Sequence, residues 1–193
     1  STSGNLKAGT YDQVTGDTSD LSGADAANYT LTATTEANSL TVSPKAITYS
    51  IAAGSITYGA SHTAGTITYS ALETGDLVSA TAQIDSVALS TANKIEAGTY
   101  TQSLNGTHGG ADVANYTITL ATANTYVVSK KALSVTNIAS VTATYGDSIS
   151  NGSVTFANTE TGDLVSVTAS TVSATYSTSG NLKAGTYDQV TGD

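Results

Sequence analysis

The stretch Ser1-Thr-Ser-Gly-Asn-Leu-Lys-Ala-Gly-Thr-Tyr-Asp-Gln-Val-Thr-Gly-Asp17 returns letter for letter as Ser177–Asp193, a period of 176 residues. Identity over a run of this length marks a repeat array, so the fold to be explained is that of one unit used several times. Inside the period a looser repeat runs at 87 residues, carrying Tyr58-Gly59 onto Tyr145-Gly146 and Glu73-Thr-Gly-Asp-Leu-Val78 onto Glu160–Val165. The same offset carries Gly23–Thr30 onto Gly110–Thr117, while Ala8-Gly-Thr-Tyr11 recurs at Ala97–Tyr100 and Ala184–Tyr187. One module type is therefore used twice per period.

Modules begin at the lysine that follows a Val-Ser ending, Lys45 after Pro44 and Lys131 after Lys130. Pro44 suits a junction because it would remove a ladder donor from a central strand. This phasing gives a C-terminal half-module in 1–43, a complete module in 44–129 and the N-terminal part of a third in 130–193. The duplicated strand prevents the two fragments from being joined into one module. The chain reads as a window on a longer array.

Composition sets the kind of fold. Cys, Met, Trp and Arg are absent, Phe156 and Pro44 stand alone, and Tyr carries the aromatic load. An apolar fraction of 39% predicts thin cores. β-Branched Thr and Val with regular Tyr favour pleated, half-buried strands, and Gly, Asn and Asp supply the turns. Alternation predicts strands at Tyr116/Ile118/Leu120, Tyr29/Leu31/Ala33, Val78/Ala80/Ala82/Ile84, Val165/Val167/Ala169 and Val172/Ala174/Tyr176. We expect an all-β fold of small tandem modules forming an elongated rod, with about six to eight short strands in each. Asn105-Gly106 and Asn151-Gly152 predict turns, and Thr-Gly-Asp at 74–76 and 161–163 predicts a turn or one short helix per module.

The absence of Cys excludes disulfides and thiolate metal sites, as export of an unfolded chain would favour. A net charge of −9 excludes nucleic-acid binding through a basic surface. No apolar run approaches the about 20 residues a membrane helix needs.

The ordered set of motifs resembles the MBG repeat domain of the YGX type. It is carried by Thr57-Tyr-Gly59, Gly75-Asp76, Gly98-Thr-Tyr100, Asn115-Tyr116 and Val127-Val128, and in the split module by Thr144-Tyr-Gly146, Gly162-Asp163, Gly185-Thr-Tyr187, Asn28-Tyr29 and Val42. The resemblance implies a β-grasp-related fold in arrays on large, filamentous-haemagglutinin-like bacterial surface adhesins. The chain departs from that family after Tyr-Gly, where an acidic residue and Pro often follow but Ala60-Ser-His62 and Asp147-Ser-Ile149 stand instead.

Chemistry-bearing residues are few. No Ser/His/Asp order repeats between modules and no glycine-rich phosphate loop precedes a helix, so no enzyme is expected. His62 and His108 are read as exposed loop residues. Asp17, Asp20 and Asp25 offer three carboxylates that a Ca²⁺ ion would accept, against a plain solvated loop. The counterpart loop keeps only Asp112. Lys45 or Lys131, Asn28 or Asn115, and Glu73 or Glu160 are the recurring residues from which a Lys–Asn isopeptide could form, detectable as a mass deficit of one ammonia. Asn28, Asn105, Asn115 and Asn151 match a glycan-acceptor pattern that composition alone explains. Tyr11, Tyr29 and Tyr58 recur at fixed positions, as core residues do.

These features predict a stalk segment of a secreted adhesin at the surface of a Gram-negative bacterium, supporting cell-surface or cell-cell attachment, with neighbouring modules as its first partners. Two other classes suit the same sequence. One is a weak multivalent module for glycan or mucin, and the other is a self-assembling extracellular fibre or sheath built from like chains.

Overall fold

The computed structural model describes residues 1–13, 21–30 and 38–192, and of Asn38 only the backbone. The fold is all-β. Helical turns among the described residues are the short 3₁₀ segments Ala26–Asn28 and Val113–Asn115. They sit at the Ala-Asn step before the recurring tyrosine, whereas Thr-Gly-Asp forms a hydrogen-bonded turn, closed by Asp76 N–H to Glu73 C=O at 3.1 Å. Gly75 makes that turn possible with a φ of 93°.

Eight strands build residues 44–129: β3 (Lys45–Ile51), β4 (Gly54–Thr57), β5 (Ile67–Tyr69), β6 (Ser79–Ile84), β7 (Gly98–Tyr100), β8 (Gln102–Gly109), β9 (Tyr116–Ala123) and β10 (Tyr126–Ser129). Before them come β1 (Gly9–Gln13) and β2 (Asn38–Val42), and after them β11 (Ser134–Ile138), β12 (Val154–Ala157), β13 (Ala169–Thr171) and β14 (Gln189–Thr191). β3 is the central strand of a three-stranded sheet, antiparallel to β5 and parallel to β9. Its residues Ile47 and Ile51 face inward and are almost fully buried. Burying each removes enough apolar surface to contribute about 2–3 kcal/mol. β10 lies between β4 and β7, and β6 pairs with β8. Tyr126 of β10 packs on Gly54, where a Cβ would overlap its ring.

The alternation at Val78–Ile84 becomes β6, whose residues alternate between exposed and half-buried. Asn105-Gly106 does not turn the chain. It lies inside β8, where the register against β6 shifts and Gly106 takes a φ of 85°, a bulge instead of a hairpin. The run at Val165–Ala169 becomes a strand only from Ala169, and Val172–Tyr176 contributes one isolated bridge, Tyr176 to Leu182.

A one-residue difference between repeats also has a structural reason. Lys45 to Tyr58 is one residue shorter than Lys131 to Tyr145. In the complete repeat Tyr49 and Ile51 face Tyr69 and Ile67. In the third, Val135 and Ile138 face Phe156 and Val154, and the extra residue falls in a bulge between Val135 and Asn137.

The chain forms two compact units that do not coincide with the sequence modules. The first comprises Ser1–Gly54, Thr63–Asp85 and Tyr100–Tyr126, the second Ser55–His62, Ser86–Thr99 and Val127–Asp193. Each unit therefore contains pieces of two successive repeats. No helix among the described residues is long and apolar enough to cross a membrane.

Candidate functional site: the clasp from one repeat to the next

In the first unit, the opening residues of the chain dock on carboxylates of the complete repeat. Asp76 Oδ1 accepts the Ser3 N–H at 3.1 Å, and Oδ2 accepts the Tyr116 hydroxyl at 2.6 Å. Asp112 Oδ1 accepts the Thr2 N–H at 3.1 Å and Oδ2 the Leu77 N–H at 2.9 Å. The Thr2 hydroxyl lies against both Asp112 Oδ2 and Gly75 C=O, with one proton to give. Asn115 Oδ1 accepts the Ala8 N–H at 2.9 Å. A buried carboxylate is tolerated only when donors surround it, and these backbone and hydroxyl donors do so.

The titration behaviour follows from the donors. Hydrogen bonds from the Ser3 and Tyr116 side chains hold Asp76 at about 2. Asp112 is lowered first by the Thr2 hydroxyl and then by the Leu77 N–H. Burial, followed by the bond to Asp76, raises the Tyr116 phenol.

The second unit places the equivalent Asp at a junction one module on, with a different donor. Asp163, in the Glu160–Asp163 turn, takes the Tyr58 hydroxyl on Oδ2, and that hydroxyl also lies 2.6 Å from Ser90 Oγ. Ser90 corresponds to Ser1, as the following Ala97-Gly-Thr-Tyr100 corresponds to Ala8–Tyr11. The Lys45–Glu73 ion pair, at 2.5 Å, likewise recurs as Lys131–Glu160. So the Lys and Glu of the isopeptide triad do meet, as ion pairs, while the Asn115 amide is engaged by Ala8 and Asp112.

Asp17 and Asp20 lie outside the described residues; Asp25 is exposed. Its counterpart Asp112 is fully buried as a hydrogen-bond anchor. Among the described residues no group of three His, Asp or Glu side chains could hold a metal ion. His62 is exposed, but His108 is not a loop residue. It sits in β8, half-buried between Tyr49 and Tyr69, with Tyr69 Oη 2.9 Å from Nδ1. The aromatic neighbours bury its ring and lower its pKa.

Sequence reading missed Gln102. It is buried, its Oε1 accepts the Gly65 N–H at 2.7 Å, and its Nε2 donates to Ala52 C=O and Asn124 C=O. Gln189 repeats the arrangement on Gly152 N–H and Ala139 C=O. The signal was a Gln two residues beyond each Gly-Thr-Tyr, at Gln13, Gln102 and Gln189. Gly65 and Gly152 are required beside it, since a Cβ on either would overlap the carbonyl of Ala52 or Ala139.

Comparison with protein-family models, curated proteins and solved structures gave no match.

Proposed function

We propose that the chain is a non-enzymatic stalk segment of a secreted bacterial surface adhesin, built of MBG-like repeats and serving to hold a distal binding region away from the cell. The observation that carries this reading is the clasp: a donor from one repeat meets an Asp in a Thr-Gly-Asp turn of the next, the Ser3 N–H at Asp76 and the Tyr58 hydroxyl at Asp163. A carboxylate that accepts N–H or O–H donors from a neighbouring repeat is a weakened base and nucleophile, but it fixes two segments against each other. Repeated contacts of this kind suit a spacer whose length scales with copy number.

Small-angle scattering on arrays of increasing copy number tests the reading. The maximum dimension should grow in proportion to copy number at constant cross-section, and Asp76→Ala with Asp163→Ala should shorten it by letting the junctions bend. Arrays that collapse to a compact particle would overturn it. Saturable binding of the repeats to a glycan and mucin panel, with Ca²⁺ or with chelator, would move them from spacer to adhesive.

A further inference from the structure

Two Asn-Gly steps occur in the sequence, Asn105-Gly106 and Asn151-Gly152, and the structure holds them in opposite ways. Such a step pairs an electrophile with a nucleophile. The side-chain amide carbon Cγ of Asn and the backbone nitrogen of the next residue close a cyclic imide when they bond, and a following glycine has no Cβ to keep them apart. Whether the two atoms meet depends on what holds them.

Asn151-Gly152 is held at every reacting group. Asn151 Nδ2 donates to Ala169 C=O at 2.6 Å, and its Oδ1 accepts the Thr171 hydroxyl at 2.9 Å. The Gly152 N–H, which would have to attack, donates to Gln189 Oε1 at 2.7 Å. Gly152 is also buried, and a Cβ on it would overlap Ala139 C=O, so the backbone there has little room to turn.

Asn105-Gly106 is the opposite case. Asn105, Gly106 and Thr107 are all exposed, and among the described residues no hydrogen bond engages the Asn105 amide. Ser79 of β6 pairs with Gly109 and Thr81 pairs with Asn105, so the three residues 106–108 stand against Ala80 alone. A bulge leaves its extra residues without ladder partners, and the backbone can rotate there at low cost. The space beside Gly106 is open, with nothing within 4 Å of the place a Cβ would take.

We propose that Asn105 is a self-modification site, where the side chain cyclises onto the Gly106 nitrogen and then hydrolyses, and that the fold protects Asn151 from the same reaction. In the first step the Gly106 nitrogen gives up its proton and bonds to Asn105 Cγ, the Cγ–Nδ2 bond breaks, and ammonia leaves with that proton. Water then opens the imide at one of its two carbonyls. Attack at Cγ leaves Asp at position 105. Attack at the backbone carbonyl leaves isoaspartate, whose main chain runs through Cγ and is longer by one methylene. Water is the only co-reactant. Either product replaces a neutral amide by a carboxylate, which an exposed position accommodates without desolvation. The bulge already sets three residues against one and absorbs the added methylene. Each period of 176 residues thus carries one step that reacts and one that is protected, and the surface of the complete repeat gains negative charge with time.

Peptide mapping by mass spectrometry of the full chain, aged at mildly alkaline pH both folded and in guanidinium chloride, tests the proposal. Conversion is read as the exchange of an ammonia for a water, and an isoaspartyl methyltransferase marks the isoaspartate fraction. In denaturant the two steps should convert at similar rates, since both are then plain Asn-Gly peptides. In the folded chain Asn151 should lag behind Asn105 by about tenfold or more, because three hydrogen bonds must open first. Thr171→Val removes one of those bonds and should speed Asn151 while leaving Asn105 unchanged. Asn105→Gln should abolish the fast conversion, with circular dichroism unchanged because the side chain is exposed. Asn105 that stays intact in the folded chain while it converts in denaturant would overturn the proposal. Asn151 keeping pace with Asn105 in the folded chain would overturn it as well, as would fast conversion that persists in Asn105→Gln.

Discussion

Gln102 shows how much a single polar side chain does in a core this thin. It satisfies one N–H and two carbonyls from three separate segments, so Gln102→Ala should cost about 3 kcal/mol or more by leaving them without partners. Gln189→Ala, at a half-buried position with two such bonds, should cost about 1–2 kcal/mol. Urea midpoints of the two variants measure both. The carboxylates fix the acid limit at the same scale. Asp76 and Asp112 have lowered pKa values when folded, so their contribution is full above the unfolded value near 4 and is lost as pH falls through the folded values, which for Asp76 is about 2. His108 is also lowered, by burial, so the unfolded chain takes up its proton first and stability begins to fall below about pH 6.5. A pH series of denaturation midpoints should show a shallow decline followed by a steep one, and Asp76→Asn should flatten only the steep part.

At the scale of the element, pairing decides what hydrophobic alternation cannot. β3, flanked on both sides, should hold its amides against exchange far longer than β11, which is paired on one, and hydrogen exchange at low protein concentration checks the difference. The same rule explains how much of the fold was legible in the sequence. The all-β fold and the alternation of β6 were legible because a period of two places successive side chains on opposite faces. Val165–Val167 has the same pattern without a strand, because a pattern of side chains does not supply a hydrogen-bonding neighbour. Asn105-Gly106 reads as a hairpin turn, yet within β8 the positive φ of the glycine serves a bulge. The carboxylates of the clasp stood in recurring Thr-Gly-Asp and Gly-Ala-Asp motifs, but their partners Ser3 and Thr2 lie more than seventy residues away, beyond the reach of any local motif. His108 was misread for a related reason, since nothing local signals that Tyr49 and Tyr69 close over it.

At the scale of the whole molecule, the repeat seen in the letters and the unit seen in space are out of phase, because each compact unit draws on two successive repeats. Cutting the chain at Lys130 should therefore unfold the second unit, which draws on both sides of the cut, and leave the first, which ends at Tyr126, folded, as circular dichroism of the two fragments would reveal. Solubility should be lowest near pH 4.3, where the net charge that keeps copies apart vanishes. The bulge between Val135 and Asn137 has a consequence for inheritance. An added codon there is absorbed within one strand, and Ile138 still meets Val154 as Ile51 meets Ile67. Gene copies can thus gain single-residue insertions in this strand without disturbing the clasp, and so drift apart in sequence. That drift lowers the resemblance between adjacent copies that lets them entangle during folding.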